Sequence, residues 1–190
     1  MPLVRSVAHG ELSSLKVKAY KTMNSIINAY TDGACLGNGT ASTRGGWAAV
    51  IDDGEQQLRI SGHGGQTTNN RMELQAVIEG LRVSEEIGRR PIHVHTDSKY
   101  VQKGCTEWLP KWKANGWRTA DRKPVKNADL WNLLDELLRR LSPTFHWVRG
   151  HNGHLFNELA DTLAGFAASS GEGFREVRAS GEMSVNMQLR

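Results

Sequence analysis

Four acidic residues are candidates for one catalytic site, although they lie far apart in the sequence: Asp32, Glu73, Asp97 and Asp161. Asp32 follows the apolar stretch "IINAYT" and Asp97 follows "IHVHT", so each carboxylate is expected just beyond a short buried strand. If these strands are parallel neighbours, both side chains reach the same edge of a sheet. Glu73 is expected in the first turns of a helix, and Asp161 on the polar face of another.

Each of these residues also has an ordinary structural interpretation, which the sequence leaves open. Asp32 precedes a glycine and could bond its own backbone in a turn. Asp97 could cap a helix that starts in "SKYV". Glu73 could complete a capping box with Asn70 at the N-cap, and Asp161 could lie on a solvated helix face.

A group of three or four carboxylates repels itself at neutral pH unless cations hold it together. Oxygen ligands without cysteine favour Mg²⁺, with Mn²⁺ as a substitute, over structural zinc. Two such ions about 4 Å apart can activate a water on one side of a phosphorus atom and stabilise the leaving oxygen on the other. The four acids therefore predict metal-dependent hydrolysis of a phosphodiester.

One histidine is a candidate for proton transfer at such a site. His151 lies in the loop of "VRGHNGHLFNELAD", just before the helix that carries Asp161. Imidazole exchanges protons near neutral pH, which suits this role; a loop histidine bonded to backbone is the alternative. His154 is expected at the surface, and His93 and His95 are expected to be packing or surface residues and not ligands.

The elements that must position these residues follow from periodicity. Three strands form an antiparallel meander, and "NNRMELQAVIEGLRVSEEIG" has the spacing of an amphipathic helix. The predicted order is β-β-β-α-β-α-α-α-β-α, which indicates an α/β fold with a mixed sheet and helices packed on it. Residues 1–22 are expected to be an N-terminal extension, or to precede a true start at Met23. Residues 23–168 form the predicted catalytic domain, and residues 169–190 a flexible tail.

The composition is that of an ordinary globular domain. The chain has 190 residues, of which 38% are apolar and 23% charged. Its two cysteines, Cys35 and Cys105, belong to no paired motif, which argues against disulfides and cysteine–zinc sites and fits a reducing compartment. There is no apolar run of membrane-spanning length and no secretion signal. We therefore expect a cytoplasmic protein that binds no membrane, and a monomer.

Positive charge is concentrated in one short segment. From Lys103 to Lys126 there are seven basic and two acidic residues, interleaved with three tryptophans. Cations bind phosphates while flat rings pack against sugars or bases, which indicates a contact with nucleic acid. Alternatively, the tryptophans anchor a small helix to the core and the lysines only solvate its other face.

Five stretches, in this order, resemble bacterial type 1 ribonucleases H: "YTDGACLGN", "TTNNRMELQAVIEGL", "VHTDSKYV", "KWKANGWRTADRKPVKNADLW" and "HWVRGHNGHLFNELADTLA". The resemblance runs from about Met23 to Ala168. It implies a five-stranded mixed sheet of the ribonuclease H type. It also implies cleavage of the RNA strand of an RNA/DNA hybrid, leaving 5′-phosphate and 3′-hydroxyl ends.

By this resemblance Asp32, Glu73, Asp97 and Asp161 are metal-binding carboxylates, and His151 serves in proton transfer and product release. The resemblance also implies contacts with the hybrid by thirteen residues. These are Cys35, Asn38, Thr68, Asn69, Asn70, Arg71, Gln75, Lys111, Trp112, Lys113, Trp117, Arg118 and Asn157.

The loop after Asn38 departs from the family, because "GTASTRGGW" lacks the usual proline and is longer. Two other functions remain open. The chain could be a binding module that has lost its chemistry, although a binder has no reason to keep four acids. It could also be a metal nuclease or strand-transfer enzyme of the same fold that acts on DNA.

Overall fold

The computed structural model describes residues 25–39 and 43–180, which form a mixed sheet with helices on both faces. The strands are β1 (Ile27–Leu36), β2 (Arg44–Asp52), β3 (Gln56–Gly64), β4 (Ile92–Thr96), β5 (Thr144–Trp147) and β6 (Phe174–Ala179). Their order across the sheet is β5-β4-β1-β2-β3-β6. β1, β2 and β3 pair antiparallel, which confirms the predicted meander; β4 pairs parallel with β1, and β5 pairs parallel with β4.

Five α-helices and one π-helical turn connect the described strands. They are α1 (Asn69–Ile87), α2 (Lys99–Lys103), the π-helical turn (Gly104–Trp108), α3 (Leu109–Ala114), α4 (Ala128–Leu141) and α5 (Leu155–Ser170). The helix predicted from period 3.6 is α1. None of the described helices has the length and apolarity to cross a membrane.

The core has two layers because residues along each strand alternate between faces. Ile27 and Ala29 of β1 belong to the larger cluster, which the buried side chains of α1 and α4 complete. Tyr30 faces the opposite way and packs with α5, where Leu159 and Leu163 cover the sheet. The central strands are therefore covered on both sides.

The structure corrects the predicted number of strands from five to six. β6 lies within the segment predicted to be a flexible tail, and it pairs antiparallel with β3. A buried charge helps to hold it, since Arg59 of β3 is 1% exposed and its guanidinium lies 3.8 Å from the Glu176 carboxylate. This strand is hard to predict from sequence, because it is short and carries three charged residues.

Several sequence predictions fall outside the described residues. These are the extension of residues 1–22, residues 40–42 of the unusual loop, and residues 181–190 of the tail. The limits of the predicted domain stay a prediction. The domain is expected to end at residue 168, and α5 continues two residues beyond that point.

Candidate active site

Asp32 and Asp97 reach the site from neighbouring parallel strands. The pairing of β1 with β4 ends at Tyr30 opposite His95, and the chain leaves β4 just before Asp97. β1 itself continues to Leu36, because β2 keeps pairing with it. Asp32 therefore lies in the middle of a strand and not at its end as predicted, in the part of β1 that β4 no longer covers.

The ordinary interpretations of these two residues as a turn and a cap are wrong. Asp32 accepts a hydrogen bond from the Gly33 amide at 2.7 Å, but the chain stays extended there and forms no turn. The N-cap of α2 is Ser98, whose hydroxyl accepts from the Val101 amide. The Asp97 side chain is thus not used by the helix that follows it.

Glu73 comes from the first turns of α1, which lies directly against β1. The N-cap of α1 is Thr68 and not Asn70, so the predicted capping box is not formed. Instead the Asn69 side-chain amide donates to Glu73 Oε1 at 3.1 Å. Gly33 permits this packing, because a Cβ at that position would lie 2.2 Å from the Glu73 backbone nitrogen.

Three carboxylates meet at this point. Asp32, Glu73 and Asp97 each offer an oxygen, and these oxygens lie within 4.8 Å of one another. Asp32 and Glu73 are each only 7% exposed. Among the ion pairs of the described residues, none joins a lysine or arginine to these three side chains.

Burial and mutual repulsion oppose ionisation of this group. Burial, with the charges of Asp97 and Asp161, raises the pKa of Asp32 to about 8. Burial and the neighbouring carboxylates also raise the pKa of Glu73 well above its usual value. No ion pair within residues 25–39 and 43–180 neutralises the group, and a bound cation would favour its ionised form.

The donor set fits a hard divalent cation. All the ligand atoms are carboxylate oxygens, which Mg²⁺ and Mn²⁺ prefer. Glu73 Oε2 is buried and has no hydrogen-bond partner among the described residues. A cation would satisfy this oxygen, which otherwise costs desolvation energy.

Asp161 and His151 lie at the margin of this group. Asp161 on α5 is close enough for hydrogen bonding to raise the pKa of Asp32, but it lies outside the group of three and its side chain is 43% exposed. His151 Nδ1 lies 3.6 Å from Asp161 Oδ2, and the imidazole is 82% exposed. His151 has a positive φ of 50° in its loop. The ring therefore stands free in solvent beside the carboxylates.

The residues predicted to contact substrate around α1 lie together at its N-terminus. Asn38 Oδ1 accepts from the Asn69 amide at 3.4 Å, and Cys35 Sγ contacts the Thr67 carbonyl at 3.7 Å. Thr68 caps the helix, as described above, and Asn70 is exposed. This end of α1 presents amide and hydroxyl groups beside Glu73.

Two other predicted contacts near α1 are engaged within the protein. Arg71 forms a bidentate pair with Asp129, whose shorter bond is 2.6 Å. The Gln75 amide donates to Glu79 at 2.8 Å along the helix. Arg71 is one-third exposed as a side chain, so part of its guanidinium still faces solvent.

Asn157, which is also predicted to contact substrate, is almost completely buried. It is 2% exposed. Its amide donates to Asp97 Oδ2 at 3.4 Å, while its own Oδ1 is buried without a partner among the described residues. Asn157 therefore helps to orient the Asp97 carboxylate by donating a hydrogen bond to it.

The basic segment has features of both interpretations, a surface for nucleic acid and a helix anchored to the core by its tryptophans. Trp112 and Trp117 are partly buried and pack against the core, so they anchor the segment. Lys111 and Arg118 are exposed. Lys113 is committed to a salt bridge with Asp135 at 2.9 Å. The segment thus exposes basic side chains to solvent, while its tryptophans pack against the core.

One residue near the site was missed by sequence reasoning. Trp147 of β5 donates from Nε1 to the backbone carbonyl of Asp97 at 3.0 Å, and the Lys99 ammonium lies 5.0 Å from its ring centre. Trp147 is 45% exposed. Only its place in "HWVRG", next to His151, could have drawn attention to it.

A family model and the sequences of two relatives all identify the same family, that of ribonuclease H. The family model for RNase H matches residues 24–169. Ribonuclease H of Cupriavidus pinatubonensis is 56% identical over 143 residues, which cover 74% of this chain and 94% of that relative. Ribonuclease H of Thiobacillus denitrificans is 55% identical over 141 residues, with 73% and 90% covered.

Solved structures confirm the predicted fold type. The crystal structure of LC9-RNase H1, a type 1 RNase H with the type 2 active-site motif, matches with a TM-score of 0.71 at 30% identity, covering 83% of this chain and 79% of that one. The foamy viral protease-reverse transcriptase in complex with RNA/DNA hybrid matches with a TM-score of 0.64 at 22% identity, covering 78% and 21%. At that identity the viral match speaks for the fold alone.

Proposed function

Because the chain belongs to the ribonuclease H family, and is thus a metal-dependent endoribonuclease, we propose that it hydrolyses the RNA strand of RNA/DNA hybrids with two divalent ions, leaving 5′-phosphate and 3′-hydroxyl ends. The observation that carries this proposal is the convergence of Asp32, Glu73 and Asp97, which form no ion pair with a lysine or arginine of the described residues. Such a group is costly to bury, and it is useful only when cations occupy it.

The residues proposed to hold the ions are Asp32, Glu73, Asp97 and Asp161, with Mg²⁺ as the preferred metal and Mn²⁺ as a substitute. The ions would supply charge stabilisation at the phosphorus and a water activated for attack. Asn69 and Asn157 orient two of the carboxylates through their side-chain amides.

His151 is proposed to move a proton between the scissile group and solvent. Its exposed imidazole can swing toward substrate while it remains within reach of Asp161. In this role the ring takes up a proton beside the carboxylates and releases it to water once the product departs.

Recognition of a hybrid requires different protein groups to contact each of its two strands, because only RNA presents 2′-hydroxyls. We propose that Asn38, Asn69, Asn70, Gln75 and the backbone near Cys35 read the RNA strand, and that Thr68 and Arg71 help to hold DNA phosphates. The basic segment, through Lys111, Trp112, Trp117 and Arg118, is proposed to grip the DNA strand. Lys113 contributes to the same positive field although its ammonium is paired.

The first experiment is gel-resolved cleavage of matched, strand-labelled substrates in Mg²⁺. We expect cutting of RNA in the hybrid, with 5′-phosphate ends, and little cutting of duplex DNA or duplex RNA. Chelation of the metal is expected to stop the reaction. Binding of the hybrid without cutting would favour a binding module, and cutting of duplex DNA would favour a DNA nuclease of this fold.

Neutralising Lys111 is expected to weaken substrate binding in a salt-dependent way. In Lys111→Gln the slope of log KM against log salt should become shallower by about 0.7–0.9, because one phosphate contact no longer releases a counterion. Turnover should change little. KM measured across a salt series tests this.

The control is Arg175→Gln on β6, which removes an exposed arginine paired with Glu86 far from the site. It should leave the slope unchanged. An equal change in both variants would mean that general charge, and not a phosphate contact, is responsible.

The cellular setting is also part of the proposal. Cys35 and Cys105 are both free, which agrees with a reducing compartment such as the cytoplasm. We propose that the chain acts there as a monomer, without a membrane or an obligate protein partner.

A further inference from the structure

Histidines form a second cluster on the sheet face that packs against α5, where Tyr30 also lies. His93 and His95 of β4 both point to this face, because alternate residues of a strand point the same way. His146 of β5 stacks on His95, with ring centres 4.9 Å apart and planes 18° apart. The other side of His95 stacks on Tyr30 at 4.5 Å. The sequence prediction treated His93 and His95 as packing or surface residues.

Two nitrogens of this cluster face each other directly. His93 Nδ1 and His146 Nε2 are 3.2 Å apart, and both residues are partly exposed. Zinc–nitrogen bonds are about 2.0–2.1 Å, so two nitrogens at this separation subtend about 100–106° at a shared ion. That angle is close to the tetrahedral value of about 109° preferred by zinc, and the two rings reach it by turning so that both lone pairs point at the ion and not along the line between the nitrogens.

The stacked rings limit the freedom of this pair. His146 is held against His95, and parallel pairing fixes β4 beside β5, with His95 opposite His146. Two ligands held in place before an ion arrives lose little conformational entropy when it binds. The pair is therefore better suited to chelation than two mobile surface histidines.

The His93 ring can offer a lone pair without losing a proton to solvent. Burial and the neighbouring His146 lower the pKa of His93, which keeps its imidazole neutral at physiological pH. In the described state one ring donates its N–H to the other. If that hydrogen moves to the outer nitrogen of the same ring, both facing nitrogens become acceptors and the ring charges do not change.

We propose that His93 and His146 form a two-histidine binding site for a transition-metal dication such as Zn²⁺ or Ni²⁺, separate from the carboxylate site. Imidazole nitrogen suits these ions, whereas Mg²⁺ prefers oxygen, so the two sites select different metals. Water would complete the coordination on the exposed side. The ion would join β4 to β5, the edge pair of the sheet.

Zn²⁺ titration by calorimetry tests this proposal on the full chain, with excess Mg²⁺ present to occupy the carboxylates. We expect one Zn²⁺ per chain. Each of the single variants His93→Gln and His146→Gln should bind Zn²⁺ at least about tenfold more weakly than the wild type. The matched control is His63→Gln, which changes an exposed histidine of β3 outside the cluster. It should bind Zn²⁺ as the wild type does.

Imidazole NMR of the wild-type protein provides a second readout that does not depend on the folding of any variant. Zn²⁺ should shift the ring resonances of His93 and His146 and leave His63 unmoved. The proposal is overturned if those resonances do not move, or if both glutamine variants retain wild-type affinity. Failure of hybrid cleavage would not affect this result, because the two sites are tested by different metals.

Discussion

Asp32→Asn is expected to cleave the hybrid at least about a thousandfold more slowly than the wild type, because it removes a central metal-binding charge. A metal ion supplies several kcal/mol of charge stabilisation in such reactions, and each 1.36 kcal/mol corresponds to a factor of about ten. Single-turnover cleavage in saturating Mg²⁺ measures the effect.

The same substitution is expected to stabilise the metal-free protein. Folding raises the pKa of Asp32 to about 8, so the folded state favours the protonated acid. The contribution of Asp32 to stability is therefore greatest below its unfolded pKa near 4 and is lost as pH rises toward 8. Asparagine has no charge to bury and keeps an oxygen for the Gly33 amide. We expect a gain of about 1–3 kcal/mol at alkaline pH and almost none near pH 4.

Urea unfolding in chelator across this pH range tests the effect, with Asp53→Asn as a control of opposite sign. Asp53 lies between β2 and β3 and pairs with Arg90 at 2.9 Å. Two backbone amides and Arg90 lower its pKa despite partial burial. The stabilising effect of Asp53 is present above its unfolded pKa and is lost in acid. Asp53→Asn should therefore have a lower free energy of unfolding than the wild type at neutral pH, while its cleavage rate is unchanged. Identical pH profiles for Asp32→Asn and the wild type would contradict the first expectation.

Gly33→Ala is expected to destabilise the fold by about 3 kcal/mol or more and to reduce cleavage strongly. The added methyl would lie 2.2 Å from the Glu73 nitrogen and 2.4 Å from the Met72 carbonyl carbon. These are backbone atoms, so α1 itself must move away from β1. That movement would carry Glu73 away from Asp32.

The control for this substitution is Gly65→Ala, where a Cβ would meet no atom within 4 Å. Its free energy of unfolding should stay within about 0.5 kcal/mol of the wild type. Urea unfolding and cleavage rates are measured for both variants. If Gly33→Ala is as stable and active as Gly65→Ala, the close approach of α1 to β1 does not position Glu73.

Much of the fold could be predicted because local patterns and global packing agree. The change from alternation to helical spacing marked α1, and the similar apolar stretches before Asp32 and Asp97 indicated two short buried strands. The position of Asp32 within its strand could not be predicted, because the length of β1 depends on how far β2 pairs with it.

Other features depend on contacts between distant parts of the chain, which leave little trace in a local pattern. β6 is held by Arg59, more than a hundred residues earlier in the sequence. Asn157 looks like a polar helix residue, yet tertiary packing buries it against Asp97. The pairing of His93 with His146 requires β4 and β5 to be neighbours, and the sequence alone does not give their register.

The pairing of β6 with β3 also affects how the chain matures during synthesis. β6 follows every other described element, so the ribosome synthesises it after all of them. Until then the outer edge of β3 has unpaired N–H and C=O groups, which can pair with another nascent chain. The carboxylate centre, on β1 and β4, can be assembled earlier. β6 therefore serves less to build the catalytic centre than to replace the nine-residue edge of β3 with a shorter, charged edge of six residues, which offers another chain less to pair with.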